Sequence, residues 1–426
     1  MKNRFGKLAA AVLAVLLVLL TVTGSAFAAG TAVEGTLSGD ASQNGADLPD
    51  GKEESGEEPG ETETVLSDLG VEDGSLQLPC RSAILMEATT GAVLYTQNAE
   101  ESLPPASVTK IMTLLLLMEA VDAGVIHLDD TVTVSANAAS MGGSQVYLKE
   151  GEQMRLEDLL KSVVIASAND AAVALAEYLY GSVSAFVAKM NERAKQLGMT
   201  GTNFENVTGL DDTAEHHLTS AHDIALMSRE LITHPTILNY SSIWMDTIRD
   251  GAFGLTNTNR LVRFYPGCTG LKTGSTSKAG FCISVTAERD GFSLICVIMD
   301  AESRDVRNAA AVSLLDWGFA NYGLFCAEGS REETVPVTGG VKNSCPLEYE
   351  AFRIVLPKAK ISGVERKIMK PESIAAPVRA GDAIGSVGYY ADGEAIGQVA
   401  LRASEEIRKI GFFDVLGRML AAFFLI

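Results

Sequence analysis

The 426 residues predict an α+β fold, in which one antiparallel sheet and a helical block precede a small all-β domain and a C-terminal amphipathic helix. Three observations carry this. Short β-type runs stand at both ends of residues 76–327 and enclose a stretch of strong helical periodicity, an order that joins strands from the two ends in one sheet. Beyond Cys326, residues 328–402 hold short alternating runs separated by Gly, Asp and Pro. Residues 403–426 are apolar on one side, with Asp414 and Arg418 four apart on the other.

From the N-terminus, Lys2, Arg4 and Lys7 precede the apolar run Leu8–Val22 and an Ala26-Phe27-Ala28 site, so residues 1–28 read as a secretory signal cleaved after Ala28. Residues 29–75 are expected to be a disordered linker. Thirteen acids face Lys52 alone there, and so little apolar surface cannot offset the entropy of ordering. Ser82–Met86 and Ala92–Thr96 form a hairpin turned at Gly91. A buried helix runs from the turn holding Ser107 to about Ala123. Leu156–Tyr180 is helical but broken at Ala166–Asp170, where small residues present a polar pair to a cleft. Further helices are expected at Ser182–Leu197 and at Thr219–Thr233, the latter capped by Thr219 or Ser220. Gly270–Ser275, Phe281–Glu288 and Phe292–Met299 are three strands, and Arg304–Phe319 a closing helix.

The chemistry starts at Pro105-Ala106-Ser107-Val108-Thr109-Lys110. Residues three apart share a helix face, so Lys110 lies over Ser107. A lysine desolvated in a cleft, or set beside another cation, loses its proton readily enough to serve as base for a serine hydroxyl. The spacing alone is common, and a capping serine beside a solvated lysine is its ordinary meaning. Two further stretches change that weighing: Ser167-Ala168-Asn169, and Lys272-Thr273-Gly274 followed by Ser275.

In this order and at these separations the three motifs resemble the penicillin-binding protein and serine β-lactamase set. Thr89–Leu94, Asn206–Asp212, Lys278-Ala279-Gly280 and Leu314–Phe319 narrow the resemblance to the low-molecular-mass serine D-alanyl-D-alanine carboxypeptidases. The resemblance implies the penicillin-binding-protein fold and an acyl-enzyme on Ser107, with Lys110 as base. It implies that Ser167 relays a proton to the leaving D-Ala beside Lys272, and that Asn169 holds the substrate backbone and the Lys110 amine. The strand Lys272-Thr273-Gly274 would receive the substrate alongside it, with Gly274 permitting close approach. The N–H groups of Ser107 and Ser275 would form the oxyanion hole, and Thr273 and Arg307 would meet the terminal carboxylate. The implied partners are a peptidoglycan stem peptide, β-lactam antibiotics as inhibitors, and a membrane surface under the C-terminal helix; export would place the chain outside the cytoplasmic membrane. Some relatives carry a histidine where Ser275 stands and an arginine where Thr258 stands. A D,D-endopeptidase would use the same residues on cross-links. A non-catalytic wall-binding protein would need a damaged constellation, and this one is intact. A class A β-lactamase would need a Glu-x-x-Leu-Asn element that none of Glu177, Glu192, Glu205, Glu215 and Glu230 provides.

Other features count against other classes. A net charge of −20, most of it in residues 29–75, argues against nucleic-acid binding. His216, His217, His222 and His234 lack the spacing of a metal site, so no metal or cofactor is expected. Among the six cysteines, Cys282 and Cys296 are nearly symmetric about the Arg289-Asp290-Gly291 turn and could face each other, although buried free thiols are the favoured state.

Overall fold

The computed structural model describes residues 76–211 and 214–424. The signal peptide and acidic linker expected within residues 1–75 lie outside the described residues.

A five-stranded antiparallel sheet organises the first part of the chain. Strands β1 (Ser82–Glu87) and β2 (Val93–Gln97) form the N-terminal hairpin, and β3 (Cys268–Thr276), β4 (Gly280–Arg289) and β5 (Phe292–Ala301) the C-terminal meander, in the order β2-β1-β5-β4-β3. The two ends of the chain meet where β1 pairs β5, with Ile84 opposite Val297. β4 and β5 are buried almost throughout because both faces of the sheet are covered; β5 reads as a nearly continuous apolar run, and β4 buries Ser284 and Thr286 among its apolar residues.

One face packs on the helical block. This holds α1 (Lys110–Asp122), α2 (Leu156–Ala166), α3 (Asn169–Tyr180), α4 (Val183–Gln196) and α5 (Ala221–Leu231). α1 is buried nearly all round, Ile111 to Met118 without interruption, as befits the central helix of a core. α5 starts where Ser220 Oγ accepts from the Asp223 amide. The other face is covered by α6 (Arg304–Asn321), through Ala310, Ala311, Leu314, Leu315 and Phe319.

These two cores correct the expectation for the cysteines. Cys282 packs in the core on the helical-block side and Cys296 in the core under α6, so the hairpin turns them to opposite faces. All six thiols are free, yet not all are buried, since Cys326 is exposed.

At Tyr322 the chain leaves α6 directly into a strand, Tyr322–Ala327, paired with Phe352–Pro357. A six-stranded sheet follows, with the long hairpin Ala383–Ala391 and Glu394–Ala403 as its second and third strands. The tail helix α7 (Phe412–Phe424) begins later than residue 403. Residues 404–411 belong to the β domain instead: Ile407 is fully buried in its core and bridges Val378. The apolar spacing of Ile407 and Ile410 suits an extended segment at a sheet edge as well as a helix. The N-terminal turn of α7 is held by Asp414, which accepts from the Gly411 amide at 2.9 Å and pairs with Arg408 at 2.6 Å. None of its residues is buried. Among the described residues no single helix is long and apolar enough to cross a membrane.

Candidate active site

The turn before α1 is 3-10, Ala106–Thr109, and places Ser107 and Lys110 together. Lys110 Nζ lies 2.9 Å from Ser107 Oγ and donates to the Thr208 carbonyl at 2.8 Å. A neutral amine that spends an N–H on Thr208 keeps its lone pair for the serine proton. Burial holds Lys110 well below the ordinary lysine range; the Lys272 charge adds to this and Asp170 opposes it.

The turn itself is pinned from behind. Ala106 sits at φ +48°, the left-handed region, one residue before the nucleophile. Its carbonyl accepts from Thr109 Oγ1 at 2.8 Å, and Thr109 Oγ1 in turn lies 2.7 Å from His217 Nε2. The Glu205 amide donates to His217 Nδ1 at 3.0 Å, which fixes the tautomer: Nε2 carries the proton and donates to Thr109. Burial pushes His217 down to about 4, against the opposing charges of Glu205 and Asp211, so the ring is neutral. His217 is thus a structural histidine. Among the described residues no group of three or more His, Cys, Asp or Glu side chains is placed to hold a metal.

The second motif falls at the helix break. Ser167 ends α2 at φ +60°, a left-handed residue that turns the chain so that α3 starts afresh at Asn169. Ser167 Oγ is buried without a hydrogen-bond partner, as is Asn169 Oδ1. Asn169 does not hold the Lys110 amine; the Thr208 carbonyl does. Asn169 holds a loop, its Nδ2 donating to the Gly142 carbonyl at 2.8 Å and its backbone N–H to Ser144 at 2.7 Å. Asp170 completes the clamp by accepting from the Val146 and Leu148 amides.

β3 forms the opposite wall. Lys272 is buried and pushed down to about 7, by desolvation first and the Arg307 charge second. Its Nζ donates to the Thr273 carbonyl at 2.9 Å and makes no hydrogen bond to Ser167, whose hydroxyl it is expected to polarise; such bonds often tighten only with substrate in place. Thr273 Oγ1 donates to Thr258 at 2.8 Å. Gly274 has a reason within the fold itself: a Cβ there would stand 2.7 Å from the Ser107 amide nitrogen and 2.9 Å from the Pro105 carbonyl. The glycine makes room for the nucleophile's own turn.

Arg307 is buried at the start of α6, donating to the Cys282 carbonyl and to Asn308, and is pushed down to about 10 by desolvation and by Arg304. Ser107, Ser167, Thr273, Gly274, Ser275 and Arg307 all line one cleft of about 400 Å³. Ser144, Trp244, Arg260 and Arg304 line it too and were not foreseen. For Arg304 a signal existed, since it precedes Arg307 by three residues on one helix face; Trp244 and Arg260 reach the cleft, and the Thr208 carbonyl reaches Lys110, through loops that periodicity does not describe.

A serine on a buried, deprotonation-prone lysine, a second serine at a helix break and a Lys-Thr-Gly strand across a cleft define a serine hydrolase of the acyl-enzyme class. The chain belongs to the D-alanyl-D-alanine carboxypeptidase family, whose profile matches residues 70–303, and residues 324–409 match that of the penicillin-binding protein 5 C-terminal domain. It is 40% identical over 357 residues to the D-alanyl-D-alanine carboxypeptidase DacF of Bacillus subtilis (strain 168), covering 82% of this chain and 91% of that one. Penicillin-binding protein 5 of Haemophilus influenzae has the same fold, with a TM-score of 0.71 and 31% identity over 80% of this chain and 100% of that one. Ampicillin-bound penicillin-binding protein D2 of Listeria monocytogenes matches at a TM-score of 0.53 and 34% identity, over 57% of this chain and 99% of that one.

Proposed function

We propose that this chain removes the terminal D-Ala from peptidoglycan stem pentapeptides through an acyl-enzyme on Ser107. Lys110, neutral in its buried setting, takes the Ser107 proton as Oγ attacks the penultimate D-Ala carbonyl. The N–H groups of Ser107 and Ser275 hold the oxyanion. Ser167 passes a proton to the departing nitrogen, with Lys272 supplying positive charge beside it. Asn169 binds the substrate backbone, and Thr273 and Arg307 receive the terminal carboxylate. Water then attacks the ester, again with Lys110 as base.

The observation that carries this reading is the 2.9 Å approach of Lys110 Nζ to Ser107 Oγ in a setting that disfavours the lysine's charge. β-Lactams would acylate the same serine. An expected export signal in residues 1–28 and an apolar tail support a site of action on the outer face of the cytoplasmic membrane, with α7 lying in the interface; Phe412, Phe413, Met419, Phe423 and Phe424 are all exposed on it.

The test is a labelled penicillin followed by mass spectrometry of the adduct peptide, beside release of D-Ala from a peptide ending in D-Ala-D-Ala. The expected result is an adduct on Ser107, lost in Ser107→Ala, together with D-Ala release. Labelling without release would move the assignment to cross-link cleavage or to binding, and the absence of any adduct would overturn the acyl-enzyme.

A further inference from the structure

One guanidinium and one hydroxyl suffice for a terminal carboxylate, and the reading above gives that task to Arg307 and Thr273. The cleft wall around them carries more donors than that. Arg304 stands one helical turn before Arg307, and after burial its charge does most to depress Arg307. Arg260 lies two residues beyond Thr258, whose hydroxyl oxygen accepts from Thr273. Both arginines line the cleft, both are exposed, and neither guanidinium has a hydrogen-bond or ion-pair partner among the described residues. Trp244 adds an indole N–H, buried in the same wall with no partner, while Arg263 covers the ring face at 5.6 Å. No Asp or Glu is among the described residues that line the cleft; the acid felt at Arg307 is Asp305, exposed on α6. Three donors without acceptors, two of them charged, call for an oxygen-rich anion.

We propose that Arg260, Arg304 and the Trp244 N–H form a second carboxylate subsite at the departing end of the substrate, selecting leaving groups that carry two carboxylates. The proposal rests on the carboxypeptidase reading, which seats the first carboxylate at Thr273 and Arg307. Its placement follows from that seat: Arg304 adjoins Arg307 along the helix, and Arg260 adjoins Thr273 through Thr258, so both flank the leaving residue. Two sources share this chemistry. The leaving group is either an acidic terminal D-residue or a neighbouring stem peptide still joined in a cross-link. Exposed guanidinium groups pair with a carboxylate strongly when the geometry is bidentate, and the gain is screened by salt.

The experiment compares kcat/KM of the full chain on three peptides with a common acyl half and different leaving groups: D-Ala, D-Glu and a cross-linked stem peptide. Labelling of Ser107 by penicillin is measured in parallel for every protein. The expected result is a preference of about tenfold or more for at least one dicarboxylate leaving group over D-Ala. In Arg260→Gln/Arg304→Gln that ratio falls toward one, and in the unaltered chain it shrinks with added salt. Preference for D-Glu alone identifies an acidic terminal residue, and preference for the cross-linked peptide alone identifies the neighbouring stem. A ratio at or below one in the unaltered chain, or a ratio that the double variant leaves intact, overturns the subsite. Failure of penicillin to label Ser107, or of the unaltered chain to release D-Ala from its peptide, overturns the carboxypeptidase reading instead.

Discussion

Lys272 is a buried amine whose protonation at neutral pH is opposed both by desolvation and by Arg307. Unfolding restores the proton affinity of an ordinary lysine, so between pH 7 and 10.5 the unfolded chain binds more protons and this group destabilises the fold. Lys272→Met, of similar shape, is expected to gain roughly 2–4 kcal/mol at pH 7 while losing acylation. Thermal melting beside penicillin labelling checks both halves, and a lower melting temperature would refute the first. His217 has the same sign at lower pH. Its folded value of about 4 lies below the 6.5 of the unfolded chain, so its stabilising effect is complete above pH 6.5 and is lost as pH falls toward 4. The loss is on the order of 3 kcal/mol, and His217→Gln, whose Nε2 can still reach Thr109, should flatten that part of the stability curve. The motif serines and lysines were legible as single letters because their spacing encodes their chemistry. The pinning of Ala106 by Thr109, His217 and the Glu205 amide was not, because it joins residues more than a hundred positions apart.

Among the elements, β3 and the 3-10 turn approach so closely that a methyl group does not fit between them at Gly274. Gly274→Ala is expected to cost roughly 1–3 kcal/mol and to lower the acylation rate about a hundredfold, since the added carbon displaces backbone and not a flexible side chain. Stopped-flow labelling measures the rate, and a variant acylated at the rate of the unaltered chain would show that the turn yields freely. The longer helices and strands of the first part were legible nearly to their ends because amphipathic and fully apolar runs differ in period and length; the short pairs Thr131–Thr133 with Gln153–Arg155 and Met245–Ile248 with Phe253–Thr256, and the helix Pro235–Ser241, were not, being too short to show a period. The break at Ser167 was legible from its small residues, but its left-handed backbone was not. The boundary between β domain and tail was misplaced because Ile407 and Ile410 fit an extended edge as well as a helix; what decides is the pairing of Ile407 with Val378.

At the scale of the whole molecule, α7 contributes no buried side chain and is tied to the β domain mainly by Arg408–Asp414 and by Arg418, which donates to the Val341 carbonyl. Deleting residues 411–426 is therefore expected to shift stability by no more than about 0.5 kcal/mol and to leave Ser107 labelling unchanged, while abolishing co-sedimentation with anionic lipid vesicles. Retained co-sedimentation would mean that another surface binds lipid. A different consequence follows from the direct passage of α6 into the strand at Tyr322. With Arg307 near one end of an 18-residue helix and the β domain at the other, no linker separates cleft and β domain. Anchored through α7 as proposed, an enzyme on such a post would work at one altitude above the membrane, and two chemically identical stem peptides in different layers of the wall would differ in whether they can be cut at all.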